Sequence, residues 1–217
     1  YGDVLSDPQS ESTPFNPMST YAVSKCAAHH LVINYRAAYG IKGSTGILFN
    51  HESELRGREF VTRKISHQLA EIATGRELPI QLGNLSSVRD WGYAPDYVDA
   101  MKLIMDAKNA DDYVVATNST ITVREFFTKC ALAADFDPVF DGEGIDEVCR
   151  DSKSGKVLCA VNEKFYRPSD VVYLRGDYSK IENNLGWKPS TDINALAKKM
   201  MEFDLGIAKG LSHDYGI

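Results

Sequence analysis

Apolar residues recur at helical spacing in several separate stretches of this 217-residue chain. Between Ser19 and Tyr39 they return every three or four positions, and Gly40 follows, a residue type that commonly ends helices. The same periodicity predicts helices over residues 60–74, from Pro95 onward, and over 123–134, 179–185 and 193–205. Residues 1–16 lack such a period and predict a loop.

Short, continuous apolar runs lie between the predicted helices. They cover residues 44–49, 79–82, 112–116 and 157–161 and are typical of buried strands. Thr122 and Glu125 have the spacing of a capping box at the start of the 123–134 helix. Apart from the 157–161 strand, residues 137–165 follow no regular pattern. The alternation of strands and helices indicates an α/β fold.

Charge and cysteine usage narrow the class of protein. The formal net charge is −6 and Lys and Arg form no run, so we expect no nucleic acid partner. No apolar stretch reaches about 18 residues, which predicts no membrane partner. The cysteines are not paired in a CxxC motif and indicate reduced thiols in the cytoplasm: Cys26, Cys130, Cys149 and Cys159. No metal site is expected, because the adjacent His29 and His30 would point apart on a helix.

Tyr21 and Lys25 form a YxxxK motif near the start of the first predicted helix. On a helix this spacing places the phenol and the ammonium on one face, about 5–6 Å apart. A nearby ammonium stabilises a phenolate electrostatically, so the pair suits proton transfer. The spacing also arises by chance, and what favours a catalytic role is the long helix that leads into a buried strand.

Several polar residues suit a ligand that carries phosphates. His51 directly follows the 44–49 strand, where parallel strands end at a ligand crevice, although a loop capped by polar side chains explains it equally. Arg56, Lys64, Arg89 and Arg167 could together hold a diphosphate, or each could be an ordinary surface charge. No strand, glycine-rich turn and helix follow one another as in a dinucleotide-binding cradle.

Five segments of the sequence resemble the GDP-mannose 4,6-dehydratase family of extended short-chain dehydrogenases/reductases. They are residues 21–25 (YAVSK), 46–53 (GILFNHES), 60–65 (FVTRKI), 89–92 (RDWG) and 166–168 (YRP). The resemblance runs from Tyr1 to about Leu205 in family order. It implies a lyase that converts GDP-mannose to GDP-4-keto-6-deoxymannose through NADP, and a homo-oligomer, dimeric or tetrameric.

The resemblance also implies roles for individual residues. Tyr21 would accept the C4 hydroxyl proton of the sugar, and Lys25 would stabilise the phenolate and hold the nicotinamide ribose. His51 and Arg56 would contact NADP, the latter across a subunit interface. The residues that would hold GDP-mannose are Asn50, Lys64, Arg89, Arg167 and Asp170. The family has Pro-Arg-Arg-Gly where this chain has residues 54–57 (ELRG), and it has Glu at the position of Asp170.

The expected architecture is the trailing part of a Rossmann-like doubly wound sheet, interleaved with a smaller α/β substrate domain. Residues 1–49 and 92–118 would form the first, and residues 50–91 and 119–217 the second. The dinucleotide-binding half would come from a preceding segment, without which this chain would be unstable or inactive. The alternatives are another nucleotide-sugar dehydratase or epimerase, and a non-catalytic module that binds a nucleotide sugar.

Overall fold

The structure is a computed structural model and describes residues 1–166 and 173–211. Its α-helices are α1 (Thr20–Tyr39), α2 (Val61–Ala73), α3 (Ala94–Asp106), α4 (Val123–Ala133), α5 (Ser179–Leu185) and α6 (Ile193–Ala208). Its strands are β1 (Thr45–Leu48), β2 (Asn50–Glu52), β3 (Ile80–Leu82), β4 (Val88–Arg89), β5 (Trp91–Tyr93), β6 (Asp112–Val115), β7 (Ile121–Thr122), β8 (Pro138–Asp141), β9 (Val148–Asp151) and β10 (Val157–Val161). None of the helices in these two ranges is both long and apolar enough to cross a membrane.

The described residues form two compact units. The first comprises residues 1–51, 89–120 and 173–191, and the second comprises 52–88, 121–166 and 192–211. The segment 173–191, which we assigned from the sequence to the substrate domain, thus clusters with the first unit. The segment lies in the first unit because Ile181 and Trp187 are buried in one apolar cluster with Tyr97 and Val115.

The first unit is built on a parallel pair of strands, β1 and β6, with Thr45 opposite Asp112 and Leu48 opposite Val115. Strand β6 is covered on both faces, as parallel strands usually are. Tyr113 and Val115 pack in one apolar cluster, whereas Val114 and Ala116 pack in another on the opposite face. This parallel, doubly covered strand confirms the predicted α/β class.

Helix α1 begins and ends at the residues that the sequence predicts. The Ser19 hydroxyl accepts from the Ala22 amide at 3.1 Å, and Gly40 adopts a left-handed conformation with φ 64°. A residue with a Cβ atom adopts that conformation at a cost, which is why glycine suits this position. However, no residue of α1 is buried. Its apolar side chains therefore lie on an uncovered face.

The second unit places helices α2, α4 and α6 beside a four-stranded sheet of order β3-β10-β9-β8. Strand β10 pairs in parallel with β3 and antiparallel with β9. The predicted capping box of α4 is present, since Thr122 accepts from the Glu125 amide and Glu125 accepts from the Thr122 amide. Strands β8 and β9 lie in the stretch that the sequence analysis left irregular.

Candidate functional site

The YxxxK pair lies on the first turns of α1, in the first unit. The Lys25 Nζ atom is 5.5 Å from the centroid of the Tyr21 ring, within the range predicted from helical spacing. The Tyr21 side chain is 70% exposed, and no residue of α1 is buried. The phenol and the ammonium are therefore adjacent and open to a ligand or to another polypeptide segment.

His51 and Asn50 lie on β2, just beyond the carboxyl end of β1, in the same unit as Tyr21. The His51 Nδ1 atom is 2.9 Å from the Phe49 carbonyl oxygen, and the imidazole stacks at 5.0 Å from the Tyr97 ring. A carbonyl only accepts, so Nδ1 carries the hydrogen and the ring orientation is fixed. The Asn50 side chain is exposed beside it.

Arg89 ends β4 and precedes a buried carboxylate that orders its surroundings. Asp90 accepts from the amides of Thr117, Asn118 and Gly176 and from the Thr117 hydroxyl, at 2.6–3.1 Å. Burial raises the pKa of Asp90, and these hydrogen bonds oppose the increase. Asp90 thus joins the β6 end and the 173–177 segment next to Arg89, a role that the sequence analysis missed.

Lys64 lies on the first turn of α2, in the second unit. Its ammonium donates to the Gln81 carbonyl at 2.5 Å and sits 4.0 Å from the centroid of the Phe165 ring. Partial burial lowers the pKa of Lys64. The amine thus lies in a defined place, with a carbonyl and an aromatic face on two of its sides.

Arg56 is held inside the second unit by two contacts. Its Nε atom is 3.2 Å from the Glu52 carboxylate, and its guanidinium carbon is 3.5 Å from the centroid of the Phe60 ring. Glu52 is itself buried and accepts from the Thr62 hydroxyl at 2.5 Å. Burial raises the pKa of Glu52, whereas Thr62 and Arg56 lower it.

The predicted residues therefore fall into two groups. Tyr21, Lys25, Asn50, His51 and Arg89 belong to the first unit. The second unit holds the two cations Arg56 and Lys64.

Arg167 and Asp170 lie outside the described residues, so their predicted roles stay predictions. The sequence analysis also missed Phe165, whose only sequence signal is that it lies two positions before Arg167.

The family model described as GDP-mannose 4,6 dehydratase matches residues 1–200 of the chain. The chain belongs to the GDP-mannose 4,6-dehydratase family. Curated members of this family are similar to this chain over nearly all of the chain's length. GDP-mannose 4,6 dehydratase 2 of Caenorhabditis elegans is 44% identical over 207 residues, which is 95% of this chain and 54% of that protein. The human GDP-mannose 4,6 dehydratase is 43% identical over 209 residues, which is 96% of this chain and 56% of that protein.

The chain thus spans about half the length of the curated dehydratases that it matches. Among solved structures, RMD of Pseudomonas aeruginosa complexed with NADPH has a TM-score of 0.75 and 19% identity, over 92% of this chain and 60% of that one. UDP-glucose 4-epimerase of Thermus thermophilus in complex with NAD has a TM-score of 0.75 and 22% identity, over 95% and 60%. At this identity the likeness shows the shared Rossmann-type fold alone.

Proposed function

We propose that this chain supplies the sugar-nucleotide site and the proton-transfer pair of an NADP-dependent lyase that converts GDP-mannose to GDP-4-keto-6-deoxymannose. The observation that carries the proposal is the family match over residues 1–200. The 5.5 Å separation of Lys25 from the Tyr21 ring agrees with it, because the chemistry requires a phenol and an ammonium within mutual reach.

Tyr21 would accept the proton of the C4 hydroxyl as that carbon is oxidised, and Lys25 would stabilise the resulting phenolate. Bound NADP would supply the chemistry of taking up a hydride and returning it at C6. Lys25 would also hold the nicotinamide ribose. Water would be lost across C5 and C6 after C4 has been oxidised and before hydride returns to C6, which makes the enzyme a lyase.

Some of the described residues fit a nicotinamide cofactor. His51 is oriented by the Phe49 carbonyl, which leaves its other ring nitrogen for a ligand. Arg56 would contact the cofactor of a partner subunit, although here Glu52 and Phe60 engage its guanidinium. That contact would require the guanidinium to leave Glu52 or to share it.

GDP-mannose would be held by hydrogen bonds and by cations that pair with the diphosphate. Asn50, Arg89 and Lys64 would contribute these groups. Arg167 and Asp170 would complete the set, the latter by accepting from a ribose hydroxyl.

We also propose that a dinucleotide-binding polypeptide segment packs on the uncovered face of α1. Exposed apolar side chains along that helix support this: Val23, Leu31, Tyr35 and Tyr39. Within the described residues, β1 has a neighbouring strand on one side alone, β6. Polypeptide usually covers both an open edge of a parallel strand and an exposed apolar helix face. Assembly into a cytoplasmic homo-oligomer, dimeric or tetrameric, belongs to the same proposal.

Turnover of nucleotide sugars tests the proposal. With NADP and a dinucleotide-binding segment of the family present, GDP-mannose should yield a 4-keto sugar, and Tyr21→Phe should lower kcat by at least about a hundredfold. UDP-glucose and dTDP-glucose serve as competing substrates. Preferential turnover of either would instead assign the chain to another dehydratase or an epimerase.

A second candidate function is a nucleotide-sugar-binding module without catalysis. The exposure of Tyr21 favours it, because a catalytic phenol usually works in a site from which water is excluded. Calorimetric titration of the chain mixed with a dinucleotide-binding segment of the family separates the two functions. Binding of GDP without binding of NADP would support the module, and binding of both would support the enzyme.

A further inference from the structure

Phe165 is a half-exposed aromatic side chain that lies close to a cation of the second unit's candidate site. It ends a short 3-10 turn (Glu163–Phe165) after β10, and its ring is 49% exposed. The Lys64 ammonium lies 4.0 Å from its centroid. An ammonium at this distance from an aromatic face is attracted by the ring quadrupole, and the attraction grows when water is partly excluded.

The turn that carries Phe165 is fastened to β3. The Asn162 amide donates to the Leu82 carbonyl at 2.8 Å, and the Asn162 side chain donates to the Gln81 side-chain oxygen at 3.1 Å. A Cβ atom on Gly83 would lie 2.3 Å from the Phe165 carbonyl oxygen, so the backbones approach as closely as glycine allows. The backbone of Phe165 is therefore placed by contacts that do not involve Lys64.

Gln81 also contacts the Lys64 ammonium. Its backbone carbonyl accepts from Lys64 Nζ, and its side chain is bonded to Asn162. One ammonium carries three N–H donors, and the carbonyl takes one of them. The ring and the carbonyl restrict a flexible side chain that would otherwise lose rotamer entropy when it binds a ligand.

We propose that Phe165 is a positioning residue that holds the Lys64 ammonium ready for the diphosphate of the nucleotide sugar. The proposal rests on the proposed function, and it deepens that function by adding a residue to the substrate site. Phe165 acts through Lys64, so its effect concerns the phosphates and not the nucleoside. Preorganised donors bind more tightly because less freedom is lost on binding.

Two replacements of Phe165 separate the ring face from its volume. Phe165→Leu keeps an apolar side chain but removes the aromatic face, whereas Phe165→Tyr keeps both. Phe136→Leu is a matched control, since it makes the same replacement at a half-buried ring of the second unit for which no role is proposed. We expect Phe165→Leu to weaken GDP binding about three- to tenfold. Guanosine binding should be unchanged, and Phe165→Tyr and Phe136→Leu should bind GDP as the wild type does.

A mutant cycle with Lys64→Met tests whether Phe165 acts through the ammonium. In that background, Phe165→Leu should have no further effect on GDP affinity. An equal loss in both backgrounds, or an equal loss of GDP and guanosine binding, would overturn the proposal in favour of a merely structural role. The melting temperature of each variant shows whether it is folded.

The NMR shifts of the Lys64 ε-methylene protons test the same contact without any nucleotide. We expect an upfield ring-current shift in the wild type that Phe165→Leu abolishes and Phe165→Tyr retains. Its absence in the wild type would overturn the positioning role alone. A normal ring-current shift in a chain that does not bind GDP would instead overturn the nucleotide-sugar site, and the proposed function with it.

Discussion

Disruption of the buried ion pair between Arg63 and Asp204 should destabilise the second unit strongly. The two side chains are 2% and 0% exposed. Arg63 Nε is 3.0 Å from each Asp204 carboxylate oxygen, and the Ser66 hydroxyl donates to the same carboxylate at 2.6 Å. Arg63 Nη1 also donates to the backbone carbonyls of Glu54 and Arg56. The pair thus joins α2, α6 and the 54–56 turn.

The magnitude follows from which charges are left without a partner. Arg63→Met or Asp204→Leu alone strands a buried charge, which costs about 3–5 kcal/mol. The double variant strands no charge and loses chiefly three hydrogen bonds, two to the 54–56 turn and one from Ser66, at about 1 kcal/mol each. Its expected loss is therefore about 3 kcal/mol, well below the sum of the two single losses.

Urea denaturation followed by far-UV circular dichroism measures the free energies of unfolding. Tryptophan fluorescence follows the unfolding of the first unit separately, because Trp91 and Trp187 lie in that unit and Arg63 and Asp204 lie in the second. Losses in the double variant that equal the sum of the two single losses would refute the reasoning, since they would mean that the charges do not interact.

Three further predictions concern pH, helix capping and thiol chemistry. Burial raises the pKa of Glu52 above its ordinary value of 4.5, so between the unfolded and folded pKa values the native chain binds more protons. The unfolding free energy should then fall as pH rises through that window, and Glu52→Gln should flatten the slope measured by denaturation across pH. Thr122→Ala should cost about 1 kcal/mol in urea denaturation by removing the cap of α4, and Thr122→Ser should retain it. In a thiol-reagent assay of the native chain, Cys26 should react first, because the other cysteines are buried and burial raises the pKa of Cys130.

Each of these predictions has a contradicting outcome. An unchanged pH slope in Glu52→Gln would assign the dependence to other carboxyl groups. Equal stability of the alanine and serine variants at Thr122 would remove the cap from the account of α4. Rapid reaction of Cys130 before unfolding would contradict its burial in the second unit.

The sequence predicts helices well where period and capping agree. The predicted Gly40 stop ends α1, and the predicted Thr122–Glu125 box begins α4. These are local signals, so no distant partner is needed to read them. Strands β8 and β9 were missed because Pro138–Asp141 and Val148–Asp151 are short and lie among Gly and Asp residues. Strand β9 pairs with β10 and β8 pairs with β9, and no local pattern shows these contacts.

The candidate site shows the same division between local and distant information. Helical spacing alone predicts the contact between Tyr21 and Lys25, which the structure has at 5.5 Å. In contrast, Lys64 meets Phe165 across 101 positions of sequence, and that pairing depends on the fold of β3 and β10. Arg63 offers no sequence signal of burial either, because arginine usually lies at the surface and its partner Asp204 is 141 positions away.

Complementation tests the central claim most directly. The chain would be mixed with a dinucleotide-binding segment of the family, NADP and GDP-mannose, and the product analysed by mass spectrometry for the loss of water from the sugar nucleotide. We predict that GDP-4-keto-6-deoxymannose forms with the wild-type chain and not with Tyr21→Phe. A stable complex that binds NADP and GDP-mannose yet forms no keto sugar, or forms it equally with Tyr21→Phe, would contradict the account.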